Sequence, residues 1–260
     1  MTQNPILRQN DPTAQNQPSG TSFGDIPPTD LLRPMGHARI DAACKWVTKE
    51  KDGLYLQSRY GVLRLSPVGS GILRVTFSRN GKPARTVHPF IAVDRVENRY
   101  TYRENGTMLE LSTDELCVRV NKTNGAICYL TREKKVLLSE SMKEARQLES
   151  LLNGKTKCYL NLDFGKKEKL HAFDPATGNT MECQMTARYI TPTDPRALPF
   201  LISDEGYGIV VASSGDTYIC DIPAYGSYLC TETTGELDYY VIAGKNQNIV
   251  RAAYRYLVSE

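Results

Sequence analysis

An all-β fold, an antiparallel β-sandwich, follows from three features of this 260-residue sequence. Short apolar runs recur at intervals of roughly 8–12 residues. Apolar and polar residues alternate within several of them, and turn-forming residues separate them. The segment LPFLISDEGYGIVV, residues 198–211, is the clearest unit. Its two apolar runs flank Ser203-Asp204-Glu205-Gly206, the pattern of a β-hairpin. Gly206 supplies a positive φ at the end of the turn, and Gly208 inside the second run predicts a bulge or a close backbone approach.

Residues 1–37 are rich in Gln, Asn, Pro, Ser, Thr and Gly and carry no apolar period, so a disordered tail is expected there. The sandwich is assigned to residues 38–243. Tyr55-Leu56, Gly61 to Leu65 and Gly71 to Phe77 read as strands, with Leu63/Leu65 and Leu73/Val75/Phe77 on one face. Phe90 to Val93 reads as a further short strand. Residues 100–140 read as four strands, with turns at Asn105-Gly106, Ser112-Thr113-Asp114 and Lys122 to Gly125.

Residues 140–153, ESMKEARQLESLLN, are good helix formers, with Met142, Ala145, Leu148 and Leu152 on one side, and predict a short helix or a charged loop. Residues 157–197 read as an irregular insertion, of the kind that often carries function. Within it, Lys166-Lys167-Glu168-Lys169 reads as a solvated face and Asp174 to Gly178 as a turn. Residues 217–243 read as further strands. Residues 244–260 predict a C-terminal amphipathic helix, with Asn246 as N-cap and Ile249, Val250, Ala253, Tyr254 and Leu257 forming its apolar stripe. Such a stripe needs a covering surface.

Lys and Arg number 32 against 29 Asp and Glu, a net charge of +3. That balance argues against a nucleic-acid or anionic-membrane partner. No apolar run approaches the about 18 residues of a membrane span. The N-terminus lacks the basic and apolar regions of a signal peptide, which favours a cytoplasmic location. Seven cysteines occur without a C-x-x-C pair, as expected of reduced core thiols. Cys117 and Cys128 can approach across a hairpin, but packing as small apolar side chains is the favoured reading. Asn105-Gly106-Thr107 and Asn121-Lys122-Thr123 match the glycosylation pattern, which also arises by chance. No metal-ligand spacing, calcium loop or Gly-rich phosphate loop is present, so no cofactor or metal is expected.

ILRVTF, LELSTDELCVRVNKTNGAICYLTREKKVLLSE, LPFLISDEGYGIVV and GELDYYVIAGKNQNIVRAAYRYL occur in that order. Together they resemble the N-terminal region of glycoside hydrolase family 31, the family of α-glucosidases and α-xylosidases. The last two motifs carry most of the resemblance, which covers about residues 40–257. It implies a galactose-mutarotase-like β-sandwich and a terminal helix leading toward a (β/α)8 catalytic barrel. The family's two catalytic aspartates belong to that barrel. The nucleophile motif has a Trp, yet the one Trp here, Trp46, precedes Val47-Thr48. No catalytic residue is therefore assigned.

The resemblance implies a non-catalytic domain that supports a barrel and its substrate pocket, with weak carbohydrate binding and a catalytic domain or full-length glycosidase as partner. Asn161 to Glu168 stands where the family has a Gly-rich motif, with different spacing. His171, Asp174 and Asp194 are the candidates in the loop region that approaches substrate in the family. Two alternatives stand beside this reading. A mutarotase-like epimerase needs a His acid and a Glu base, for which His88, His171 and Glu232 are the available residues. A free-standing carbohydrate-binding module needs an aromatic platform, for which Tyr225, Tyr228, Tyr239 and Tyr240 are the clustered candidates.

Overall fold

The structure is a computed structural model and describes residues 26–34, 40–93, 95–96 and 99–258. The expected boundary between tail and sandwich lies outside the described residues.

Two antiparallel sheets pack face to face. The first is built from β1 (Trp46–Glu50), β2 (Gly53–Gln57), β3 (Val62–Gly69), β4 (Ile72–Ser78), β12 (Leu170–Phe173), β13 (Thr180–Glu182), β15 (Phe200–Ser203), β16 (Tyr207–Val211) and β19 (Glu236–Ala243). Its spatial order is β1-β2-β3-β4-β19-β16-β15-β12-β13. The second holds β5 (Thr101–Asn105), β6 (Met108–Ser112), β7 (Leu116–Asn121), β8 (Ile127–Thr131), β9 (Val136–Glu140), β10 (Arg146–Ser150), β11 (Thr156–Asp163), β14 (Ala187–Tyr189), β17 (Thr217–Ile222) and β18 (Gly226–Thr233). Its order is β14-β17-β18-β11-β9-β8-β7-β6-β5, with β10 paired to β11.

The main core lies between the sheets. Leu63, Leu65, Leu73, Val75 and Phe77 from the first sheet meet Leu109, Leu111, Val118, Val120 and Tyr129 from the second. The 198–211 hairpin explains why its sequence is apolar on both sides. Leu201, Tyr207, Ile209 and Val211 face this core. Phe200, Ile202 and Val210 face the opposite side, under the helix α1 (Gln247–Val258). A strand covered on both faces reads as a continuous apolar run.

Gly206 has φ +86°. Gly208 is a point of close approach, because the register of β15 with β16 runs through it without a shift. A Cβ there would fall 2.5 Å from the Phe200 ring and 2.8 Å from Val250 of α1. Asn246 caps α1 by accepting from Ile249 N at 3.1 Å. Val250, Tyr254 and Leu257 are buried, whereas Ile249, placed on the stripe by its spacing, is 49% exposed.

Four local expectations are corrected. Residues 157–197, read as an irregular insertion, carry the strands β11, β12, β13 and β14. Residues 140–153 hold no helix: Arg146–Ser150 is β10, in full antiparallel register with β11. Leu148 inserts into the core and Arg146 pairs with a buried carboxylate, so tertiary pairing overrides the helix propensity of the run. Phe90 to Val93 forms no strand; Ala92 N instead donates to Leu257 O at the end of α1. Residues 100–140 hold five strands, the fifth being Val136–Glu140 beyond a tight turn at Thr131 to Lys135.

Residues 26–34 cross the outer face of the second sheet. Leu31 packs on Tyr159, Tyr218 and Tyr228 there. The carbonyls of Asp30, Leu31 and Leu32 accept from Lys157 Nζ (2.6 Å), Tyr228 OH (3.0 Å) and Tyr159 OH (3.3 Å).

Candidate functional site

The region carrying the candidate residues is the outer face of the first sheet, where α1 lies. Along β12, Leu170 and Ala172 point into the core, and the alternation puts His171 and Phe173 on the outer face. Phe173 packs edge-to-face on Phe200, and the Arg251 guanidinium sits 4.6 Å from the Phe173 ring centroid. His171 is half-buried, opposite Ile202 on one side and Glu182 of the edge strand β13 on the other.

Asp174 follows directly and is buried. One carboxylate oxygen accepts from Ala176 N at 3.0 Å, and the other from Thr193 Oγ1 at 2.7 Å. It ties the 174–178 turn to the loop before β15. Asp194 is next to Thr193 and is held by Arg196, whose N, Nε and Nη2 donate at 2.8, 3.2 and 3.0 Å. That hydrogen bonding keeps the Asp194 carboxyl below its usual range. The fold thus links Asp174 and the Asp194 loop through one hydrogen bond. Both carboxylates serve as acceptors for their own turns, and His171 stands further along β12.

His88, His171 and Glu232 are not gathered at one point. Glu232 is on β18 of the other sheet, 3.5 Å from Lys155 Nζ. His88 Nε2 lies 2.8 Å from Ser214 Oγ, and its Nδ1 accepts from Phe90 N at 3.3 Å. With Nδ1 as the acceptor, the neutral ring carries its proton on Nε2 and donates to Ser214. Burial lowers the His88 pKa and favours that neutral form. The clustered tyrosines are also dispersed. Tyr239 lies between the sheets, Tyr240 beneath α1 and Tyr228 beneath residue 31.

Sequence reasoning missed two buried carboxylates. Glu168, assigned to a solvated run, is 6% exposed. It accepts from Gly165 N at 2.7 Å and from Ser203 Oγ at the end of β15. A Lys-Lys-Glu-Lys string gives no warning that its one acid turns inward. Glu140 is fully buried and receives Arg146 Nη1 (2.8 Å), Ile127 N (2.9 Å) and the Tyr239 hydroxyl. Tyr239 in turn meets Tyr129 OH at 2.9 Å. Burial raises the Glu140 carboxyl and drives both phenols well above their usual values.

Arg146 also lines a cleft of about 530 Å³, together with Ala42, Ser58, Tyr60, Phe77, Asn124 and Lys143 among others. The cleft is lined by neither β12 nor α1. Among the described residues no three His, Cys, Asp or Glu side chains gather in a metal-binding arrangement.

No protein-family model matches the sequence, and no curated protein matches it. Solved structures do. A family 31 dextranase of Flavobacterium johnsoniae, complexed with isomaltotriose, superimposes with a TM-score of 0.70 at 16% identity, over 85% of this chain and 28% of that one. An α-xylosidase of the same family from a soil metagenome, complexed with xylose, gives 0.68 at 15% identity, over 82% and 34%. The family 31 α-xylosidase of Xanthomonas citri gives 0.67 at 12% identity, over 82% and 40%. The chain thus spans 28–40% of the length of these three structures. It has the β-sandwich fold that makes up that share of these family 31 glycoside hydrolases.

Proposed function

We propose that this chain is the non-catalytic β-sandwich of a family 31-type α-glycosidase, a domain that supports a (β/α)8 barrel and borders its substrate pocket. The observation that carries this reading is the partial superposition, which takes in 85% of this chain against 28% of the dextranase. The sequence motifs support it, as does the absence of convergence among His88, His171 and Glu232. In this reading the α1-bearing face packs on the barrel. Ile249 and Tyr256, 49% and 61% exposed on α1, are the apolar side chains it would cover. The 174–197 loops are the segment that reaches the pocket rim, with Asp174 and Asp194 keeping them in shape and His171 beside them.

Hydrolysis of O-glycosyl bonds belongs in this reading to the larger polypeptide. The sandwich alone binds sugar weakly. Calorimetric titration with isomaltotriose and with xylose separates it from a free-standing binding module. A supporting domain gives a Kd above about 1 mM, whereas micromolar binding to this chain alone overturns the assignment.

A further inference from the structure

Lys134 occupies the turn between β8 and β9 at φ 69°, a region that glycine enters freely and other residues seldom do. Its N donates to Thr131 O at 3.0 Å, and Lys135 O accepts from Thr131 N at 2.8 Å. Glycine would fit this turn with less strain, and a lysine held there is the kind of local inconsistency that points to use of its side chain. That side chain reaches over the outer face of the second sheet. Its Nζ lies 2.8 Å from Cys117 Sγ and 2.9 Å from Glu110 Oε1.

Glu110 is fixed from its other sides by Arg119 and Arg103, each at 2.9 Å, so it holds the ammonium in place. Cys117 is fully buried, and its sulfur also lies 3.7 Å from Ser112 Oγ. Cys128 does not compete for it. In the β7–β8 register Cys128 stands opposite Arg119, its sulfur is bonded to Ser139 Oγ at 3.3 Å, and both thiols are free. A nitrogen–sulfur separation of 2.8 Å is shorter than a usual hydrogen bond to the large sulfur atom. It suits two atoms joined through a single bridging atom.

We propose that Cys117 and Lys134 form an oxidative modification site, in which one oxygen atom is inserted to give a covalent N–O–S bridge between β7 and the β8–β9 turn. The reacting atoms are Cys117 Sγ and Lys134 Nζ, which share three protons as a neutral pair. The oxidant is molecular oxygen. One of its atoms bonds to both Sγ and Nζ. Of the pair's three protons, one stays on nitrogen and two leave with the second oxygen atom as water. The pair loses four electrons and dioxygen gains four.

The test is mass spectrometry of the whole chain, prepared under reductant and then exposed to oxygenated buffer. The expected shift is a gain of about 14 Da, reversed by dithiothreitol. Tryptic digestion should yield residues 104–119 joined to residues 133–135, with cleavage after Lys134 blocked. Cys117→Ser and Lys134→Gln should abolish the shift, and Cys128→Ser should retain it. The wild-type peptide map decides the matter even if a variant folds poorly. An unchanged mass, a loss of about 2 Da, or gains of about 16 or 32 Da with normal cleavage after Lys134 would each overturn the proposal.

Discussion

The rings of Phe200 and Tyr254 lie nearly parallel, 8° apart, with centroids separated by 4.4 Å. This stack joins the 198–211 hairpin to α1, and Tyr254 is 1% exposed. Its hydroxyl also donates to Leu198 O at 3.4 Å. Tyr254→Ala should therefore destabilise the chain by about 3–5 kcal/mol, the range for truncating a buried aromatic. Tyr254→Phe, which keeps the stack, should cost about 1 kcal/mol or less. Urea unfolding of the two variants distinguishes packing from hydrogen bonding at this contact.

Arg146 and Glu140 form a pair buried in the second sheet. Arg146→Met leaves Glu140 without its cation and should cost about 3–5 kcal/mol at neutral pH. The pH dependence has a definite sign. Losing Arg146 raises the folded-state pKa of Glu140 further above its unfolded value. Stability of the variant should then fall as pH rises from the ordinary carboxyl range through that raised value. Unfolding curves of Arg146→Met across pH 4 to about 8 should slope downward, and an upward slope would contradict this account.

Glu110 behaves oppositely. Hydrogen bonding from Lys134, with Arg119 and Arg103 adding to it, outweighs desolvation and holds its carboxyl down to about 2. A depressed acid stabilises the fold above its unfolded pKa of about 4.3 and loses that contribution as pH falls toward 2. Glu110→Gln should flatten the acid limb in this window and leave the neutral-to-alkaline limb unchanged.

Burial raises Cys158, Cys183 and Cys230 to about 12 and Cys220 to about 11. These four should resist alkylation at pH 8 in the native state and react on unfolding. Cys44 and Cys128, which are only partly buried, should react first. Mass mapping after timed iodoacetamide exposure gives the order.

The hairpin and α1 were legible because their signals are local. A glycine must turn the chain at Gly206, a second must let Val250 approach at Gly208, and the apolar stripe of α1 repeats with the helical period. The 140–153 segment was misread because its residues favour a helix in isolation. What decides its structure is distant, namely pairing to β11 and the Glu140 carboxylate. Glu168 was misread for a related reason, since Gly165 and Ser203 turn it inward and a lysine-rich string does not reveal them. His171, Asp174 and Asp194 were chosen from the loop region by resemblance alone. That Asp174 and Asp194 serve as turn acceptors depends on loop contacts with Ala176, Thr193 and Arg196, and that Glu182 faces His171 depends on strand register.

The central claim is that this chain supports catalysis without performing it. The most direct measurement is release of nitrophenol from aryl α-glucoside and aryl α-xyloside by the purified chain. The account predicts a rate equal to the buffer blank at every chain concentration. A rate that rises with chain concentration and is abolished by substituting a single carboxylate of this chain, Asp174 or Asp194 for example, would contradict it.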